Sequence, residues 1–385
     1  MKKKSIFVCA CLCIFLVFSL VGCGDSKTAT VSPADGDSQK PVELPTLAIG
    51  YMFSNHQAPL IVAAKQGQAF ENKGVYLKEV LEKEKYILVA DGKDIANIDV
   101  VVANNGGEVM TMMAQGQLQL ALSSIGLPIT NIDQGSSMKI LGPIHADGIG
   151  LIGSHKMQAN NFDEFIAYVK DKKEPVKIGY HSPANAPVIL FEESCENLGL
   201  SVTENPEDLN ADILLINLKG TANLIPSLAS GEVEAWVGPS PYPELALLQD
   251  AGKLIIDLKD LPPAGRWVDF PCCVFSASSD ALAKNRTEIE YFYKLLTVAS
   301  DFANNNKDSA GQIVADWMGV DERAAKNTMT VYTTEANQNW LDHCALTYSV
   351  LLENGTLKGA FKDKTMDEVK DQIFDLSVYN NAKNL

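Results

Sequence analysis

Arginine is nearly missing from this chain. Only Arg266, Arg286 and Arg323 stand among 385 residues, so bidentate clamps on carboxylate or phosphate have few places to be. Positive charge is short altogether: 32 Lys and Arg against 48 Asp and Glu give a formal net charge of −16. That balance argues against nucleic acid as a partner, and against lying on an anionic membrane by charge. The eight cysteines include no C-x-x-C and no Cys/His spacing of a zinc site, so neither metal nor cofactor is expected. G-x-S-x-G, H-E-x-x-H and G-x-x-x-x-G-K are absent as well, and no catalytic residue is expected.

What is there begins with a leader. Met1-Lys-Lys-Lys4 precedes an apolar run from Ile6 to Val21, short of the roughly 20 residues that span a bilayer. It ends in Leu20-Val-Gly-Cys23, which resembles a bacterial lipobox and implies cleavage before Cys23 and a lipid on its thiol. Residues 1–22 are thus expected to be a lipoprotein signal peptide. Losing Lys2, Lys3 and Lys4 takes the net charge from −16 to −19. Residues 23–45, rich in Ser, Thr, Asp, Lys, Gly and Pro, bury too little to fold and read as a tether.

The body is organised around a repeat. Ile178-Gly-Tyr-His-Ser-Pro-Ala-Asn-Ala-Pro187 echoes Ile49-Gly-Tyr-Met-Phe-Ser-Asn-His-Gln-Ala-Pro59. Each is a β-branched run, a polar loop, then Ala-Pro opening an apolar helix, where proline fits because the amide it lacks would have had no partner. Asn55 and Asn185 are N-cap candidates. Further on, Ala114-Gln-Gly-Gln-Leu-Gln-Leu-Ala121 parallels Ala229-Ser-Gly-Glu-Val-Glu-Ala-Trp236, and Asn105-Gly-Gly107 falls opposite Gly220-Thr-Ala222. Three coincidences in one order point to two similar α/β lobes. Free amides at such helix starts attract anions and polar groups.

From Leu47 to about Lys253 short apolar runs alternate with helical patterns, which calls for parallel sheets flanked by helices. Ligands bind outside the carboxyl ends of such strands. After Pro271-Cys-Cys-Val-Phe275 the pattern becomes helical only. Cys195, Cys272, Cys273 and Cys344 remain outside leader and lipid site; adjacent Cys272 and Cys273 point to opposite faces of a regular strand, and their pairing stays open.

Together these residues resemble the substrate-binding lipoproteins of ABC importers, in the nitrate/sulfonate/taurine/bicarbonate group with its pyrimidine-precursor relatives. The resemblance rests on Gly50-Tyr51 with Asn55 to Pro59, Gly116 to Leu120 with Ser123-Ser124, Gly179-Tyr180 with Ser182 and Asn185, and Gly231 to Trp236. It implies a two-lobed periplasmic-binding-protein-like α/β fold of type II, each lobe a mostly parallel sheet with helices, and a ligand cleft between. Residues 46–145 plus 270–385 would form one lobe and 146–269 the other. It implies a monomer held outside the cell membrane by its lipid, handing a small organic anion to an ABC permease. The ligand could equally be a pyrimidine-like heterocycle. A pyrimidine-synthase-like enzyme is a third reading, since Cys272-Cys273-Val-Phe275 faintly resembles that branch's Cys-rich run.

Candidate ligand residues are Asn55, His56, Gly107, Ser123, Ser124, Ser182, Asn185, Thr221, Trp236, Tyr242 and Arg266. Each has an ordinary alternative: the asparagines as caps, the serines as helix starts, Trp236 as core, and Tyr242 and Arg266 as surface. His145, Asp147 and Asp269 stand near the crossovers and read as solvated loop residues.

Overall fold

The computed structural model describes residues 43–385; the leader, Cys23 and nearly all of the tether lie outside them. β1 (Thr46–Met52) buries Leu47, Ile49 and Tyr51 in the core. A 3-10 turn, Asn55–Gln57, runs into helix Ala58–Gln66 with Pro59 in its first turn. The alternation of strand and helix expected from Leu47 onward fails here. Instead the chain makes an antiparallel meander of β2 (Val75–Leu81), β3 (Lys85–Ala90) and β4 (Lys93–Ala103). Asp91 and Gly92, both at positive φ of 49° and 76°, form the two-residue Asp-Gly turn whose twist suits a hairpin.

β5 (Leu120–Ser124) and β6 (Met138–Asp147) follow, with helix Gly126–Asp133 between them. A single residue, Gly148, then separates β6 from β7 (Ile149–Gly153) in the other sheet. That sheet adds β8 (Val176–Tyr180), β9 (Val202–Thr203), β10 (Ile213–Asn217), β11 (Ala235–Pro239) and β12 (Lys253–Asp257). Residues 258–270 lead back to β13 (Pro271–Ser278), and β14 (Thr330–Tyr332) breaks an otherwise helical tail. The tail was expected to be helical throughout; Thr330 and Tyr332 bury against β6, and three residues are too short a run to show a period.

Among the described residues the first sheet has eight strands in the order β14-β6-β13-β5-β1-β4-β3-β2, and the second six, β12-β7-β11-β8-β10-β9. The class is α/β as expected, but the first sheet is mixed. Only β4-β1-β5 run parallel there, because the meander and the returning β13 and β14 all pair antiparallel. In the second sheet β11, β8, β10 and β9 are parallel, while β7 and β12 are antiparallel. The carboxyl ends of three neighbouring parallel strands in each sheet, β4-β1-β5 and β11-β8-β10, carry the repeated loops, and β9 adds a fourth parallel strand to the second.

Candidate functional site

Those two sets of carboxyl ends meet. The Asn55 amide, after β1, donates to the Ser240 carbonyl, after β11, at 3.1 Å. The Ala186 amide, in the first turn of helix Ala186–Asn197 after β8, donates to Ser124 Oγ at the end of β5, at 2.8 Å. Between them, a Cβ built on Gly220, after β10, would stand 3.8 Å from the Asn104 carbonyl oxygen, after β4. First loop meets third, second meets second, third meets first. The order of the loops along the seam is thus reversed from one unit to the other. The loops before Pro59 and Pro187 border the same seam, where His56 and His181 are close enough to affect one another.

The approach is close. A Cβ on Gly126 would lie 2.4 Å from the Ala184 carbonyl, and one on Gly107 would lie 3.8 Å from Ser182 Oγ. Glycine at 126 is therefore a requirement of this contact. Asn105 caps helix Gly106–Ala114 by accepting from the Glu108 amide at 3.0 Å. Neither Asn55 nor Asn185 caps in that way. Asn55 Nδ2 donates to the Ala325 carbonyl at 3.0 Å, and Asn185 Nδ2 to the Ser182 carbonyl at 3.3 Å. The amide nitrogen of each holds a loop, which leaves the side-chain oxygens for other partners.

The seam is buried and polar. Ser54, Asn55, His56, Gln57, Ser123, Ser124, His181, Ser182, Asn185, Thr221 and Glu244 are all buried. Several keep polar atoms with no protein partner: Ser54 Oγ, Asn55 Oδ1, Gln57 Oε1, Ser123 Oγ, His181 Nδ1 and Glu244 Oε2. Each such atom costs about 1–3 kcal/mol when left so, and native proteins keep few of them. Burial pushes the His181 imidazole down to about 4, with His56 adding to the effect and Cys273 opposing it. Burial likewise raises Glu244, although Ser240 and the Met329 amide hold part of its charge. His181 is thus neutral around neutral pH.

Three other candidates sit differently. Trp236, read as a cleft wall, is fully buried with Ile152, Leu224 and Leu228 in an apolar cluster. Gly179 and Gly238 leave room beside its ring. Tyr242 Oη accepts from Thr221 Oγ1 at 3.0 Å, so each occupies the other. Arg266 pairs with Glu193 at 3.2 Å and stacks on Trp267 at 5.1 Å. Its guanidinium is already engaged by a carboxylate of its own chain. Of the residues near the crossovers, His145 and Asp147 are buried rather than solvated, while Asp269 is exposed. Burial, with Asp269 and Asp257 nearby, pushes Asp147 up to about 7.

A second cluster went unseen in the sequence. His56, His145, Cys272 and Cys273 are all buried, and one donor atom from each lies within 4.8 Å of the others. Cys272 Sγ is 3.5 Å and Cys273 Sγ 3.9 Å from His56 Nδ1. Adjacent cysteines reach one imidazole because the β13–β6 register shifts on both sides of Cys273; such a bulge re-aims side chains that would otherwise alternate. All four cysteines outside the leader and lipid site are free thiols. The donors come from three distant segments, so no spacing pattern could have announced them. Burial opposes charge on Cys273, yet Cys272, His145 and His56 hold it below the ordinary thiol range, while burial pushes Cys272 up.

Two α/β units joined at facing loop sets define the periplasmic-binding-protein fold. The chain belongs to the NMT1-like family, whose model matches residues 40–319. In fold it is similar to a zinc-bound ligand-binding component of an ABC-type import system from Staphylococcus aureus, with TM-score 0.67 and 16% identity over 88% of this chain and 99% of that one. The nitrate-binding protein NrtA of Synechocystis PCC 6803 matches with TM-score 0.67 and 16% identity, over 89% of each chain. The aliphatic sulphonate-binding protein SsuA of Escherichia coli matches with TM-score 0.60 and 15% identity, over 86% and 93%. An uncharacterised protein of Methanocaldococcus jannaschii, MJ1180, is 32% identical over 151 residues, 39% of this chain and 95% of its own.

Proposed function

We propose that this chain is the extracytoplasmic solute-binding component of an ABC importer, capturing a small organic anion of sulfonate, taurine or carboxylate type. The observation that carries this reading is the set of buried, unpartnered polar atoms at the seam between facing helix-start loops. The Ser54 and Ser123 hydroxyls and the loop amides can donate to a small anionic group, while the Asn55, Gln57 and Glu244 oxygens accept, as they would from the ammonium of taurine. Importer components among the structural relatives support the class. The residues read as ligand-facing are Asn55, His56, Gly107, Ser123, Ser124, Ser182 and Asn185; Thr221 and Tyr242 brace the rim. Trp236 and Arg266 leave the set, for the reasons given above. With Trp236 in the core, one of the three rings that favoured a pyrimidine-like heterocycle is gone, while His56 and Tyr242 remain at the seam.

In the same reading residues 46–145 and 270–385 move as one lobe and 146–269 as the other, the protein acts as a monomer, and a lipid on Cys23 keeps it beside the permease. It binds without turnover. Among the described residues no helix is long and apolar enough to cross a membrane.

A thermal-shift screen tests the ligand class. Taurine, alkanesulfonates, nitrate, small carboxylates and pyrimidines are each added in excess to the purified protein. A hit present at 100 times its Kd adds about 2.7 kcal/mol of apparent stability. A sulfonate or carboxylate is expected to shift the melt; a shift by pyrimidines alone, or consumption of any compound, overturns the reading.

A further inference from the structure

We propose that His56, His145, Cys272 and Cys273 form a four-donor centre for a divalent metal of zinc type, built where the two sheets join. The inference goes beyond solute capture and does not depend on it.

Distance is the first support. Tetrahedral zinc, with bonds of about 2.3 Å to sulfur and about 2.0 Å to nitrogen, sets its donors roughly 3.3–3.8 Å apart. The two sulfurs stand 3.5 and 3.9 Å from His56 Nδ1, and all four donors fit within 4.8 Å. The two imidazole centroids are 4.0 Å apart with their planes tilted by 48°. Small side-chain rotations therefore suffice to close the set on one ion.

Orientation is the second support. His56 Nε2 donates to the Gly148 carbonyl at 2.8 Å. A carbonyl can only accept, so the proton sits on Nε2 and the Nδ1 lone pair faces the thiols. His145 Nδ1 donates to the Ala146 carbonyl at 3.3 Å, which leaves Nε2 with its lone pair buried and without a protein partner. Metal-binding histidines are oriented in this way, by giving the remote N–H to a backbone carbonyl. Gln57 Nε2 donates to Cys273 Sγ at 3.8 Å, a contact that steadies a thiolate.

The frame is rigid. Cys273 and His145 are register partners on β13 and β6, and the bulge turns both sulfurs to one side. Two thiolates and two neutral imidazoles exactly balance a divalent ion, and two protons leave as it binds. Nitrogen and sulfur donors select zinc-like ions over calcium and magnesium, which prefer oxygen.

The test uses purified protein kept reduced, with Co2+ as a coloured stand-in and Zn2+ as competitor. One equivalent of Co2+ should give the thiolate charge-transfer band and tetrahedral visible bands, and Zn2+ should abolish both. The Cys272→Ser/Cys273→Ser double variant should lose the bands, whereas Cys195→Ser should keep them. If the double variant fails to fold, His56→Asn serves instead, and its Co2+ affinity should fall by more than the roughly 10–100-fold typical of a lost supporting partner. No cobalt–thiolate band in reduced protein, bands unchanged in either variant, or a Cys272–Cys273 disulfide that persists after reduction each overturns the proposal. No organic ligand is present in these measurements, so the capture reading stands or falls separately.

Discussion

Glu192 shows how one side chain can make the fold sensitive to pH. It lies in helix Ala186–Asn197, where burial first, and then Glu196 and Glu204, push its carboxyl up to about 7. A carboxyl raised in the fold keeps its proton while the unfolded chain loses it. Its contribution is fully present below about 4.5 and is lost as pH rises through about 7. Glu192→Gln should therefore be more stable than wild type at pH 8, by about 1–3 kcal/mol, and should match it at pH 4. Urea unfolding at both pH values checks this; equal gains at both would show that the carboxyl does not titrate in the fold. Trp236 gives a second expectation. Replacing this buried ring by alanine should cost about 3–5 kcal/mol through lost contacts and a cavity, read by the same titration. Ser123→Ala and Ser124→Ala belong to the seam, and each should weaken solute binding by about 1–3 kcal/mol in calorimetry. Unchanged affinity in both would remove the loops from the site.

At the scale of elements, Gly126 is the sharpest probe. Its helix begins against the Ala184 carbonyl, and a methyl group there would stand 2.4 Å from that oxygen. Gly126→Ala should leave each sheet folded but hold the loops after β5 and β8 apart. Solute affinity should fall about tenfold or more, equivalent to about 1.4 kcal/mol, with the melting temperature of the unliganded protein little changed. Both faces of this contact were legible in the sequence, since Ser123-Ser124 and the Ala-Pro repeat mark strand ends and helix starts. What faced what was not legible, because it is set by the packing of one whole unit on the other and leaves no local mark. The meander of β2, β3 and β4 was hidden for another reason. Its residues Lys78 to Lys85 are rich in Glu and Lys, which favour helix, and only the Asp91-Gly92 turn gives the hairpin away. The histidine–cysteine cluster left no trace at all, since its donors lie at 56, 145 and 272–273. Strand pairing and a bulge bring them together, and neither can be read as spacing.

For the whole molecule, the capture reading predicts a change of shape. X-ray scattering should show a smaller radius of gyration once a solute is bound, as closure around a ligand requires. An identical profile with and without a saturating solute would contradict it. Placement in the cell has its own test: Cys23→Ala should release the protein from membranes or leave its leader uncleaved. A variant that fractionates and migrates like wild type would rule out the lipid anchor.

The single residue between β6 and β7 sets the mechanics of any such motion. Gly148 sits at φ +80°, its carbonyl holds both the His56 ring and the Ser240 amide, and beside it the Asp147 amide meets the Phe270 carbonyl of the returning segment. A pivot there gives each strand a lever arm measured in strand spacings of about 4.8 Å. The loop after β4 lies four strands from β6, on an arm of about 19 Å. The loop after β10 lies three strands from β7, on an arm of about 14 Å. His145, on β6 itself, and Cys272–Cys273, on the next strand, travel almost no arc. The same rotation that swings Asn104 away from Gly220 thus leaves the histidine–cysteine centre near the hinge pin. On the capture reading, solute would enter and leave at the long end of the lever, while an ion at the short end would keep its ligands.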